Sequence, residues 1–273
     1  MPSYIKYIDV KKVIEQSDSN LLKRLPGVIV RLITWIVRQD AINHILNKYS
    51  TDIGINFLPK VIEELNLKLE IEGIENLPED GKCFFVANHP FGMIDGLVLT
   101  CIVSGKYGSV KGIANEGFLM IPQLRPLVAA VNVFDHSSRE YITALGEVYN
   151  EDVPISHFPS GEVSRQYHGK VQDSAWQKSF ITKAISSKRD IIPFYFYGRN
   201  SNLFYAIYMA RQLFGIKTNI ELMFLPNEMF KKRDKTIKVK IGKPISYKMF
   251  EKSLSHLEWA QKVRAQVYDL GKN

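Results

Sequence analysis

The stretch Cys83-Phe84-Phe85-Val86-Ala87-Asn88-His89-Pro90-Phe91-Gly92-Met93-Ile94-Asp95-Gly96 decides how this chain is to be read. Its first five residues are an apolar run with the length and aromatic content of a buried strand. A second apolar run, Leu97-Val98-Leu99-Thr100-Cys101-Ile102-Val103, follows and is suited to a helix. Between them, Pro90 keeps His89 out of helical backbone, and Gly92 permits a bend that a Cβ would resist. Asp95 falls near the helix start, where a carboxylate is favoured. A histidine and an aspartate six residues apart point in different directions on a continuous helix, so the turn must bring them together. That pair has the composition of a general base and the carboxylate that orients it. Spacing alone also fits a core histidine hydrogen-bonded beside a helix N-terminus.

The rest of the chain alternates in the manner of an α/β protein. Strands are expected at Asn66–Gly73, Lys82–Ala87, Ser109–Ala114, Ala129–Phe134, Ile155–Phe158, Ile191–Tyr197, Ile220–Leu225 and Thr236–Ile241. Helices are expected at Gly96–Val103, Arg139–Tyr149, Trp176–Ser186, Asn202–Phe214 and Tyr247–Leu270. The fold class is a mostly parallel central sheet flanked by helices. An N-terminal helical segment over residues 1–58 precedes a main domain over residues 59–273.

Three further stretches bear on function. Phe158-Pro159-Ser160-Gly161-Glu162-Val163-Ser164-Arg165 is a strand end and turn. Gly161 lets backbone approach a ligand there, and Arg165 can fork onto a carboxylate or phosphate. Glu162 can pair with Arg165 or meet an amine. Val131-Asn132-Val133-Phe134-Asp135-His136-Ser137-Ser138-Arg139 ends on an arginine that suits either a ligand or a first helical turn. His136 has only its neighbour Asp135 as an acid partner, a poor geometry for a rival base. Ile191-Ile192-Pro193-Phe194-Tyr195-Phe196-Tyr197-Gly198 is a buried strand closed by glycine.

Together these blocks resemble the glycerolipid (lysophospholipid) acyltransferase superfamily over roughly Asn66 to Ser246. The usual first block has four residues between His and Asp; here there are five. The longer form, His-Pro-x-Gly-x-x-Asp-Gly, is similar to a bacterial hemolysin-type branch that includes O-acyltransferases of ornithine- and glycine-lipid synthesis. Trp176-Gln177-Lys178-Ser179-Phe180 is similar to a segment of the same branch. The resemblance implies His89 and Asp95 as catalytic residues, with Asn88, Gly92, Arg139, Gly161, Glu162 and Arg165 binding substrate. It implies a fatty acyl group passing from an acyl carrier protein (ACP) or coenzyme A (CoA) thioester to a lysolipid hydroxyl, with no bound cofactor and no metal. Backbone amides near Gly92 or Gly161 would face the oxyanion. The third block departs from the common Phe-Pro-Glu-Gly-Thr-Arg-Ser, which disfavours the nearer alternative, a 1-acylglycerol-3-phosphate acceptor. A non-enzymatic, lytic membrane-binding protein is the alternative of another class.

Composition is compatible with that reading. The 273 residues carry a formal net charge of +8, which suits an anionic membrane surface or an acidic carrier protein. The lysines are scattered, and the densest run, Lys231-Lys232-Arg233-Asp234-Lys235, reads as a solvated loop, so nucleic acid is not an expected partner. Cys83 and Cys101, both in apolar runs, suggest a reducing compartment and packing thiols rather than a disulfide. No secretory signal or membrane span is evident. Leu21–Val37 mixes aliphatics and Trp35 with Arg24, Arg31 and Arg38 at seven-residue spacing, the pattern of a helix lying in a bilayer interface; packing on the catalytic domain is the other reading. The expected location is cytoplasmic, peripheral on the inner face of the cell membrane.

Overall fold

The computed structural model describes residues 4–17, 19–131, 146–167 and 169–272. Helices α1 (Val10–Gln16), α2 (Asn20–Lys23), α3 (Gly27–Ile36), α4 (Gln39–Lys48) and α5 (Phe57–Glu64) precede the sheet. Strand β1 (Lys68–Glu72) comes next, then β2 (Phe84–Ala87) and the long helix α6 (Met93–Tyr107). Strands β3 (Lys111–Asn115), β4 (Val128–Val131) and β5 (Ile155–His157) lead to a small hairpin, β6 (Arg165–Tyr167) and β7 (Lys170–Gln172). Helix α7 (Ser179–Ser187), β8 (Ile191–Phe196), α8 (Asn202–Leu213), α9 (Leu225–Phe230), β9 (Thr236–Ile241) and α10 (His256–Leu270) complete the order.

The main sheet has seven strands in the order β1-β9-β8-β2-β5-β3-β4. Every neighbouring pair is parallel except β8 and β9. Strand β2 lies at its centre and is buried on both faces, which is why its sequence is a continuous apolar run rather than an alternation. Phe85 and Ala87 join one core with Phe194, Phe196, Val98 and Leu99, whereas Phe84 and Val86 join another with Phe180, Ile181, Ala260 and Val263. Helices α5 and α6 therefore cover one face, and α7 and α10 the other.

The expected division between residues 58 and 59 falls inside α5, whose Phe57, Leu58 and Val61 belong to the sheet's own core. Ile45 and Leu46 of α4 join them, and Gln123 Nε2 donates to Leu46 O at 3.0 Å. Three other expectations are corrected. Ile220–Leu225 is not a strand: Ile220–Phe224 is a 3-10 turn running into α9, where Pro226 suits the first helical turn. Tyr247–Leu270 is not one helix: α10 begins at His256, capped by Ser255 with Glu258 reaching back. Leu21–Val37 is likewise broken, with Pro26 opening α3 and leaving Leu25 outside it. Arg24 then precedes α3, and Arg38 follows it in left-handed backbone, so the three arginines do not share one helical face. The expected Arg139–Tyr149 helix is described only at 146–150, which is helical.

Candidate active site

Strands β2, β5 and β8 are mutually parallel and end at the same pole, where open α/β sheets place their ligands. The chain leaves β2 through Asn88 and His89, turns at Gly92 with φ +84°, and enters α6. A Cβ at Gly92 would lie 2.9 Å from Leu225 Cδ2 and 3.0 Å from Val163 Cγ2, so only glycine fits. The turn folds His89 back toward the helix start, and its Nδ1 lies 3.0 Å from Asp95 Oδ1.

Asp95 is fully buried, the third residue of α6, and surrounded by donors. Its Oδ2 accepts the amides of Phe91 at 2.8 Å and Gly92 at 3.3 Å, while Oδ1 also accepts that of Gly96 at 3.0 Å. Three amides and the helix start surround the carboxylate with donors and fix it beside the imidazole. The His89 side chain retains 16 % of its accessible surface, against none for Asp95. Its ring stacks on Phe158 at 3.9 Å between centroids and 23° between planes.

A second acid, which no sequence signal had marked, grips the same histidine through the main chain. Buried Asp173 accepts the His89 amide at 3.1 Å, the Ser164 hydroxyl at 2.5 Å and the Trp176 indole at 2.9 Å. Ser164 in turn donates its amide to His89 O at 2.8 Å. The His89 turn and the loop after β5 are thus tied at both ends of one residue. Burial raises the Asp173 pKa, opposed by the Ser164 and Trp176 hydrogen bonds. His157, at the end of β5, is pushed down to about 4 by burial and by the nearby His89.

A histidine paired with a buried carboxylate at the carboxyl ends of a parallel sheet is acid–base equipment. Its family follows from comparison. A family profile described as acyltransferase matches residues 12–273. The chain belongs to the acyltransferase family. The lyso-glycine lipid O-acyltransferase of Phocaeicola vulgatus is 38% identical over 264 residues, covering 96% of this chain and 95% of that protein. The enzyme of the same name from Bacteroides thetaiotaomicron is also 38% identical, covering 96% of this chain and 97% of its own length. Among solved structures, the 1-acyl-sn-glycerophosphate acyltransferase PlsC of Thermotoga maritima superposes with a TM-score of 0.52 at 19% identity, covering 89% of this chain and 96% of that one. The last likeness is one of fold.

In this acyltransferase the other expected site residues divide. Asn88 is buried and spent on the sheet: its Nδ2 donates to Phe196 O at 3.0 Å and its Oδ1 accepts Phe196 N at 2.7 Å. Gly161 is exposed on the loop after β5, but its amide donates to Phe158 O at 2.9 Å. With the Gly92 amide on Asp95, neither glycine presents a free N–H to an oxyanion. Glu162 is half-buried on that loop, 3.5 Å from the Tyr167 hydroxyl.

Arg165 is the clearest correction. It is buried, with Nη1 donating to Val163 O and Nη2 to Glu221 Oε1 at 3.0 Å. Glu221 also lies 2.9 Å from Arg211 Nε, and the Arg165 guanidinium stands over the Phe204 and Tyr208 rings. Its fork is taken by a buried Arg–Glu–Arg triad, so Arg165 neither pairs with Glu162 nor faces a ligand. Arg139, and with it His136, lies outside the described residues. The basic run is more than a solvated loop: Lys232 is half-buried over the Phe91 ring at 4.7 Å and donates to Arg199 O. Burial raises the Cys101 thiol pKa, as expected of a packing residue.

Proposed function

We propose that this acyltransferase moves a fatty acyl group from an ACP or CoA thioester to the hydroxyl of a lysolipid, with His89 as general base and Asp95 as its orienting partner. The observation carrying this reading is the 3.0 Å approach of His89 Nδ1 to a fully buried Asp95 carboxylate, while the histidine side chain itself stays partly accessible. An aspartate facing Nδ1 favours the tautomer protonated there, which leaves Nε2 as the acceptor. Nε2 takes the hydroxyl proton as the oxygen attacks the thioester carbonyl. The tetrahedral adduct collapses, the carbon–sulfur bond breaks, and the imidazolium returns its proton to the departing thiolate. Asp95 stabilises the imidazolium while it exists.

The relatives' names support an amino-acid-bearing lysolipid of the lyso-glycine lipid kind as acceptor. With Arg165 committed elsewhere, half-buried Glu162 on the loop after β5 is the side chain we assign to the acceptor head group. Such an acceptor resides in a bilayer, and the enzyme works as a peripheral protein on the cytoplasmic membrane face. Among the described residues no helix is long and apolar enough to cross a membrane.

The test is transfer of a labelled acyl group to lyso-glycine lipid from acyl-ACP and from acyl-CoA in parallel. His89→Ala is expected to abolish transfer with the fold intact. Asp95→Asn should lower turnover by on the order of a hundredfold or more. A folded His89→Ala protein turning over near the wild-type rate ends the mechanism, and lysophosphatidate preferred over lyso-glycine lipid ends the acceptor assignment.

A further inference from the structure

Among the described residues, two exposed apolar clusters lie on elements that contact the Ile220–Phe224 turn. The first is α3, in which no residue is buried; Val28 is 70% exposed and Trp35 63%. The second is the end of α8 and the turn after it, where Leu213 is 83% and Phe214 75% exposed. Met209 and Ile216 extend it. Scattered exposed apolar residues are ordinary, but clustered ones mark contact surfaces.

The second surface is held in shape. Arg211 donates to the carbonyls of Ile216 and Lys217 and pairs with buried Glu221, while Gly215 reverses the chain with φ +63°. Leu213 and Phe214 are therefore presented outward on a braced turn. Both surfaces flank the Ile220–Phe224 turn, which α3 and α8 each contact. Just beyond it, Leu225 packs at Gly92 of the catalytic turn, and Asn227 accepts the Arg38 side chain at 2.8 Å from the end of α3.

Charge indicates what covers these surfaces. The chain has 28 acidic residues, yet neither Asn20–Arg38 nor Asn202–Asn219 contains one. Lys23, Arg24 and Arg31 are exposed beside the first surface and Lys217 beside the second. Exposed apolar side chains on segments that carry cations and no acid complement an anionic bilayer, where burial supplies attraction and each cation near the surface adds to it.

We propose that the enzyme docks on an anionic lipid bilayer at two points, α3 and the braced Leu213–Ile216 turn, which straddle the segment beside the catalytic turn. The proposal rests on a lysolipid acceptor, since two anchors about the site set its height and tilt over the bilayer. Sedimentation with phosphatidylglycerol–phosphatidylcholine vesicles tests it on the full chain. Leu213→Gln with Phe214→Gln, and separately Val28→Gln with Trp35→Gln, should each weaken binding roughly tenfold or more. Circular dichroism and the melting temperature should stay at wild-type values, as should transfer to detergent-dispersed lysolipid. Vesicles of phosphatidylcholine alone should bind less and lose the salt dependence.

A folded 213/214 variant that binds as wild type overturns the second anchor. A wild-type dimer in vesicle-free solution that the 213/214 variant converts to monomer overturns it too, by assigning the face to a second copy. Should the 213/214 pair unfold the protein, Ile216→Gln and Lys217→Gln carry the same expectation, and binding unchanged in both overturns the proposal. Absence of transfer to dispersed lysolipid by a wild type that still binds vesicles counts against the acceptor reading alone.

Discussion

Asp173 shows how much of the site depends on a residue that touches no reacting atom in the proposed mechanism. Its carboxylate accepts from the His89 main chain, the Ser164 hydroxyl and the Trp176 indole. An asparagine there keeps one acceptor oxygen and turns an amide NH2, itself a donor, toward at least one of these donors. We expect Asp173→Asn to cost about 1–3 kcal/mol of stability, the usual penalty for an unsatisfied buried donor. We also expect kcat to fall tenfold or more, with the Michaelis constant for the thioester little changed, since a displaced His89 harms proton transfer before binding. Steady-state kinetics on protein shown to be folded would check this; an unchanged kcat would reduce Asp173 to packing. His89 and Asp95 were legible because Pro90 and Gly92 wrote the turn into the same short stretch. Asp173 was not, because it lies 84 residues from His89 and its partners are brought to it by folding.

At the scale of elements, the hairpin β6–β7 is fastened to α8 by the triad of Arg165, Glu221 and Arg211. The sequence suggested a ligand-binding arginine because a guanidinium near a glycine turn is chemically apt for one. Only the packing of the Ile220–Phe224 turn beneath α8 reveals its real partner. Removing Arg165 takes from the buried Glu221 carboxylate one of its two guanidinium partners, a charged hydrogen bond worth about 1.5–3 kcal/mol. Arg165→Met should therefore lower the urea midpoint by a corresponding amount. An arginine serving the acceptor head group would instead raise a Michaelis constant while leaving the midpoint nearly unchanged, so one denaturation curve separates the two roles. The same turn was misjudged as a strand because a short apolar run reads alike in strand and buried helix. Glu221, the one acid in that run, is the residue whose burial needed the third dimension.

For the whole molecule, the half-buried imidazole of His157, with its Nδ1 enclosed, sets an acid limit. Its pKa in the folded protein is depressed to about 4 from an ordinary 6.5. Above pH 6.5 it is neutral in both states and adds no pH dependence. Between 6.5 and 4 the unfolded chain takes up a proton that the folded protein refuses, so stability falls as pH falls. The total loss approaches roughly 3 kcal/mol at about 1.36 kcal/mol per pH unit. Chemical denaturation at pH 7 and pH 4.5 should show this loss, and His157→Gln should remove most of it; an equal slope in the variant would assign the acid sensitivity elsewhere. The sequence alone determined the parallel α/β sheet, because β2 and β8 are apolar runs of strand length and α6 follows its own glycine-shaped start. It also pointed to the His89–Asp95 pairing, because Pro90, Gly92 and the helix start that bring the two together lie within the same short stretch. Tertiary structure decided what lies far apart in the chain: Asp173 on His89, Glu221 on two arginines, Asn88 on Phe196. It also decided that α3 and α8 both contact the Ile220–Phe224 turn. Such contacts depend on which faces meet when the sheet buries its two cores, and hydrophobic pattern specifies that a face is buried without naming its partner.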